Sequence, residues 1–201
     1  ASETVDNPDA GLRPFGELDT FGGPQFDLPA EDSRQTVSST VEANCDTGPD
    51  SPSPTLSILQ FVDTQHIDVS QIGRISTFRS AVGHDFNDTF ERCRNMKHYF
   101  APAEGVDWSA LIIRSPVDGS VVDVKEESLG SRVQIRATED DNVHIVLFHV
   151  NLDSALKPGD PLSAGQRLGT HYGDETYADI AVGITVPGGW RLVSYFEIIT
   201  D

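Results

Sequence analysis

Between residues 113 and 184, short β-branched apolar runs alternate with turn signals. The runs are Val121-Val122, 133–135, 143–148, Arg167-Leu168 and 180–184. A helix needs roughly ten or more residues at 3.6 spacing, so runs this short predict strands. Asp118-Gly119, the Pro-Gly-Asp of 158–160 and Ala164-Gly165 separate them. Glycine tolerates positive φ in such turns, and Pro158 presets φ for its bend. The pattern predicts a twisted, mainly antiparallel all-β domain.

Upstream the pattern changes. Residues 55–62, TLSILQFV, alternate like a strand and follow the extended linker SPSP, which places a domain boundary here and assigns 55–201 to the β-domain. HIDVSQIGRISTF, at 66–78, reads as a short strand and turn. From 88 to 99 the spacing of Phe90, Cys93, Met96-Lys97 and Phe100, in steps of three and four, predicts a short helix that Pro102 ends. No internal repeat appears. Residues 1–54 are acidic, rich in Pro, Gly, Ser and Thr, and poor in large apolar side chains. Such a segment cannot bury enough surface to fold alone and forms a long irregular N-terminal extension. Phe15, Phe21 and Phe26 are either its anchors on this domain or a neighbouring subunit, or scattered surface residues.

Composition narrows the function classes. The chain has 201 residues, 32 acidic against 14 basic, and a net charge of −18. That field repels phosphate backbones and anionic headgroups, so nucleic acid is not an expected partner. No run of 18 apolar residues occurs, so no membrane insertion is expected, and a mature N-terminus left by signal removal fits an extracytoplasmic location. Cys45 and Cys93 lie outside any C-x-x-C and are read as one structural disulfide or as two buried thiols.

Histidines and carboxylates carry the candidate chemistry. His84 and Asp88 form an H-x-x-x-D pair after Gly83. In a strand the pair would span ~13 Å, so both reach one metal ion only if the chain bends between them. By itself such a pair is more often a solvated histidine followed by a cap. His149 ends the apolar run 143–148 and lies at a strand end, as a rim imidazole bonded to backbone or as a cleft residue. His144 alternates with its apolar neighbours and is expected to face solvent, and His98 to pack with Tyr99 under residues 89–110. Glu126-Glu127 and 139–141 read as solvated turns. No G-x-S-x-G, phosphate loop or Cys-His pattern occurs.

In order, SPVDGSVVDV (115–124), GSRVQIRA (130–137), HIVLFHVNLDSALKPGDPLSAGQRLGTHYG (144–173) and YADIAVGI (177–184) resemble the lysostaphin/LytM-type zinc metalloendopeptidases. The resemblance covers roughly 75–185 and implies their duplicated hybrid motif fold, a β-sandwich or barrel-sandwich hybrid. It assigns His84 and Asp88 to a metal, His149 to the catalytic strand end and residues 156–169 to the family's turn segment. Where the family reads His-x-His, this chain reads Asp179-Ile180-Ala181, and Ala181 cannot ligate. Phe86 stands where the family commonly has glycine, and residues 89–110 are inserted.

A catalytic zinc keeps three protein ligands and one water whose pKa it lowers to ~7. Two family ligands remain, so no cofactor is expected unless Asp179, His149 or His171 substitutes to restore a zinc site. The expected protein is a peptidase-like domain with an incomplete hydrolytic set. It would bind peptide or glycan of a cell envelope, or neighbouring subunits, and could self-associate. Two alternatives stay open. One is a working zinc endopeptidase acting on peptidoglycan cross-links, with His149 or Asp179 moving protons. The other is a structural subunit of an extracellular polymer that lays its extension on the next copy. The turn grammar also resembles biotinyl and lipoyl carriers, but Lys125, in VKEES, lacks their flanking methionine.

Overall fold

The computed structural model describes residues 58–200, apart from Ala81, Cys93, Asp174 and Glu175. The extension with its three phenylalanines, the boundary at 54–55 and the Cys45–Cys93 pairing lie outside the described residues. Ten strands form one antiparallel sheet: β1 (Ile72–Ile75), β2 (His98–Pro102), β3 (Ile112–Arg114), β4 (Gly119–Glu127), β5 (Gly130–Ala137), β6 (Val143–Leu152), β7 (Pro161–Leu162), β8 (Arg167–His171), β9 (Ala178–Val186) and β10 (Gly189–Val193). Across the sheet the order is β1, β2, β9, β6, β5, β4, β7. Strand β10 also pairs with β9, and β8 links β6 to β3.

Each apolar run between 113 and 184 lies in a strand, because alternate residues reach a common core. Val133 faces Leu147 and Ile135 faces Ile145 across β5 and β6, and Ile145 and Leu147 in turn face Val182 and Ile180 of β9. These side chains, with Ile113, Val121, Phe100 and Trp108, form the main core. Burying each Val, Leu or Ile there contributes ~1.5–3 kcal/mol. The turn at 158–160 has Gly159 at φ 93°, which its lack of a Cβ permits.

Strand β6 changes neighbour along its length, pairing with β9 as far as Leu147 and with β8 from Val150. At the change its register against β5 slips, with Phe148 and His149 between the paired residues Leu147 and Val150. His149 adopts φ 57°, which re-aims its side chain.

Two expected elements are absent. The described residues of 88–99 form no helix; among the described residues the helical pieces are the 3-10 turns Val69–Gln71, Trp108–Ala110 and Tyr195–Glu197. Phe86 N donates to Arg94 O and Met96 N to Phe86 O. The backbone of 86–96 is therefore bonded across a loop rather than along a helix. The three-and-four spacing arose because Phe90 and Phe100 pack on the main core while Met96 packs on a second cluster. Nor do 58–61 form a strand. Val62 makes one parallel bridge to Ile199, and Phe61 N and Val62 N both donate to Ile198 O.

Candidate functional site

Strand β9 divides its side chains between two faces. Ile180, Val182 and Ile184 enter the main core, whereas Ala181 joins Met96, Val146, Phe148 and Leu192 in the second cluster. Alternation puts Asp179 on the Ala181 face. Phe78, Phe86 and Trp190 pack over that cluster. The Trp190 indole fills the space a Cβ would take on Gly183. Phe86, from the middle of the H-x-x-x-D segment, stands edge-on to Phe148 with ring centroids 5.4 Å apart.

Pairing with β2 supplies the residue that dominates this face. His98 lies opposite Ile180 and Tyr99 opposite Asp179, and Lys97 immediately precedes β2. The Lys97 ammonium reaches Asp179, Nζ to Oδ2 2.5 Å, with both side chains withdrawn from solvent (1% and 0% exposed). Ring centroids of Phe148, Tyr99 and Phe86 lie 4.3, 4.8 and 5.4 Å from Nζ, and each such contact stabilises a desolvated cation by up to ~2 kcal/mol. His84 Nε2 is 3.4 Å from Nζ and its Nδ1 is 3.0 Å from Asp85 O. Those partners assign the His84 proton to Nδ1, leaving Nε2 to accept. Burial works to lower the Lys97 pKa, but the adjacent Asp179 carboxylate and the neighbouring tyrosine outweigh it and hold the pKa above the ordinary lysine value. Burial pushes the Tyr99 phenol up.

The bulge at His149 turns its ring toward the same carboxylate. Nδ1 donates to Leu129 O at 2.9 Å, while Nε2 lies 3.2 Å from Asp179 Oδ1. Oδ1 has no hydrogen-bond partner among the described residues. Beside it His171, buried against Trp108, donates from Nδ1 to Gly173 O at 2.7 Å, and its Nε2 has no hydrogen-bond partner among the described residues. The His149 and His171 ring centroids are 6.4 Å apart. Burial, with His149 adding to it, holds the His171 pKa below the ordinary histidine value.

The structure therefore sets His84 and Asp179 beside Lys97, His149 on the far oxygen of Asp179, and His171 next to His149. Asp88 has another occupation. Its Oδ1 accepts from Phe90 N and Glu91 N, both at 2.7 Å, and its Oδ2 from Leu192 N at 2.9 Å. It folds the turn at 88–91 and ties that turn to β10. The remaining histidines are elsewhere. His144 does not simply face solvent: it is half-buried, 3.0 Å from Gln134 Nε2 and edge-on to Trp190. His98 packs between Phe78 and Phe196 rather than on Tyr99, with Ser76 O and Ser194 Oγ as its partners.

A zinc site requires neutral or anionic donors converging at about 2 Å. Here a lysine cation lies among the donors, Asp88 is committed to backbone, and Ala181 offers none. Among the described residues no three His, Cys, Asp or Glu side chains are placed to hold an ion. This donor set does not fit zinc, and no reaction step is assigned through one. Lys97 is the residue sequence reasoning missed. Its signal was a lone cation inside the run Met96-Lys97-His98-Tyr99-Phe100, in a chain with three lysines in all.

No protein-family model matches this chain, and no curated protein matches it in sequence at a significant level. Solved structures do resemble it. One is a protein named as a LytM glycyl-glycine endopeptidase from Ruminococcus gnavus, at 20% identity and TM-score 0.40, covering 51% of this chain and 43% of that one. A mutant catalytic domain of the prophage-encoded M23 protein EnpA from Enterococcus faecalis is 18% identical, with TM-score 0.38, covering 73% and 95%. The SpoIIQ–SpoIIIAH pore-forming complex is 13% identical, with TM-score 0.44, covering 71% and 92%. The match thus spans less than half the length of the Ruminococcus protein.

Proposed function

We propose that this chain is a peptidase-like domain that does not hydrolyse peptides and serves in binding or assembly at the cell envelope. One observation carries the reading: in the stretch Asp179-Ile180-Ala181, where the sequence resemblance calls for His-x-His, Asp179 is paired with the buried Lys97 ammonium. Hydrolysis by a zinc peptidase requires an open coordination position for water. The Lys97 side chain, 1% exposed and enclosed by three rings beside Asp179, supports a site without one. The partner is then peptide or glycan of the envelope or a neighbouring protein subunit, met outside the cytoplasm, and the net charge of −18 favours partners with cationic groups.

The test uses the full chain. Purified peptidoglycan is incubated with the protein, with and without added zinc and chelator, and new amino termini are counted beside sedimentation of the protein with the sacculi. Binding without new amino termini supports the reading. Chelator-sensitive release of amino termini overturns it.

A further inference from the structure

We propose that Ser194 is a nucleophile activated by His98, and that the two, with the backbone carbonyl of Ser76, form an acyl-transfer site for small neutral esters. The site uses neither Lys97 nor Asp179 and goes beyond the binding role proposed above.

Three groups lie in line. His98 Nδ1 is 2.9 Å from Ser76 O, and its Nε2 is 2.8 Å from Ser194 Oγ, 96 positions away in sequence. A carbonyl only accepts, so Nδ1 carries the ring proton and Nε2 accepts from the Ser194 hydroxyl. Ser194 Oγ also accepts from Phe196 N at 3.3 Å. Capping the turn at Tyr195–Glu197 thus uses the acceptor side of Oγ and leaves its hydrogen to His98. A nucleophile bonded to a base that a third group orients is the arrangement that activates a serine.

The base is held in place. Phe78 stacks on its ring and Phe196 meets it edge-on, with centroids 5.9 and 4.7 Å away. Ser76 is clamped in turn, since its N donates to Tyr99 O and its Oγ accepts from Tyr99 N, both at 2.9 Å. Burial holds the His98 pKa below the ordinary histidine value, against the pull of the Ser76 carbonyl. The imidazole is therefore neutral at pH 7, the form that can take a proton.

In the reaction the Ser194 proton passes to His98 Nε2 as Oγ bonds to the acyl carbon. The ester C–O bond breaks, and the departing alcohol takes the proton from Nε2. Water then attacks the acyl-serine, gives a proton to Nε2 and releases the acid, after which the proton returns to Ser194. Substrate chemistry follows from the rim. Ser194 is half-buried beside Phe196, which is 46% exposed and offers an apolar wall to the acyl group. Exposed Glu197 disfavours anionic esters.

The full chain, in chelator, is treated with diisopropyl fluorophosphate and mapped by peptide mass spectrometry, and p-nitrophenyl acetate hydrolysis is followed separately. The expected label is on Ser194, formed about 100-fold or more faster in folded protein than in urea. Hydrolysis should fall by about the same factor in Ser194→Ala and in His98→Gln.

A folded wild type with Ser194 unlabelled overturns the proposal, as does S194A that hydrolyses the ester at the wild-type rate. So does folded H98Q whose Ser194 is labelled as fast as in the wild type. Should H98Q fail to fold, the labelling rates of wild type in buffer and in urea decide: equal rates overturn the proposal and a faster folded rate supports it. Chelator-sensitive release of amino termini from peptidoglycan would sink only the non-hydrolytic reading, in its own assay.

Discussion

Lys97 Nζ and Asp179 Oδ2 meet at 2.5 Å across 82 positions of sequence, and the contact joins the segment before β2 to β9. Both charges are buried, so the pair is a sensitive point of the fold even where its net contribution is small.

Removing either partner alone strands the other. Lys97→Met or Asp179→Ala should destabilise the domain by about 3–5 kcal/mol, and Lys97→Met with Asp179→Asn should recover most of that loss. Urea unfolding of the three variants measures it; equal loss in singles and double would contradict the coupling. The folded Lys97 pKa is raised. Its contribution is therefore fully present below the ordinary lysine value and is lost only as pH rises through the folded value. Between pH 5 and 9 the Lys97 ammonium should add no pH dependence.

Acid sensitivity should come from His66. It is buried edge-on between Phe100 and Tyr195, neither ring nitrogen has a hydrogen-bond partner among the described residues, and burial, then His98, lowers its pKa to about 3. The unfolded chain takes up this proton near 6.5, the folded one not until about 3. Stability is thus complete above 6.5 and falls as pH drops through that window, by up to ~1.4 kcal/mol per pH unit. His98 and His171, also lowered by burial, act in the same direction. His66→Phe should flatten the slope in denaturation series from pH 7 to 4; an unchanged slope would exclude His66 as its source.

Trp190 lies against the backbone of Gly183 with no room for a Cβ. Gly183→Ala should destabilise by about 1–3 kcal/mol through overpacking. In a Trp190→Ala background the same change should be much milder, and melting temperatures of the four proteins give the coupling. Additive effects would show that the indole is not the obstacle.

Asp88 accepts three backbone N–H groups. Asp88→Ala leaves those donors unpaired and should destabilise by about 1–3 kcal/mol, with the loss confined to the segment around 88–91 and β10. Hydrogen exchange resolves the location: faster exchange at Phe90, Glu91 and Leu192, in zinc and in chelator alike, is the expected result. Exchange that zinc slows in wild type alone would return Asp88 to a metal.

Much of the fold was legible because its physics is local. Val133, Ile135, Ile145, Leu147, Ile180 and Val182 alternate with more polar or second-face residues at period two, which a sheet alone can bury, and Gly159 marks a bend by its freedom at positive φ. The spacing of Phe90, Met96 and Phe100 misled because it mimics a helix while serving two clusters on different sides of a sheet. Residues 58–61 misled because apolar alternation lacked a partner strand and met the C-terminal segment at one bridge only.

For the site, the chain alone determined which groups are present and which are missing: His84, His149, His171 and Asp179 are there, and Ala181 has no donor to give. Tertiary structure decided how they are used. Strand β2 pairs with β9 so that the Lys97 side chain, just before β2, reaches Asp179, and the bulge at His149 turns its ring onto the same carboxylate. Composition and spacing encode no such pairing, because the energy of a buried charge depends on what a strand far away in sequence places next to it.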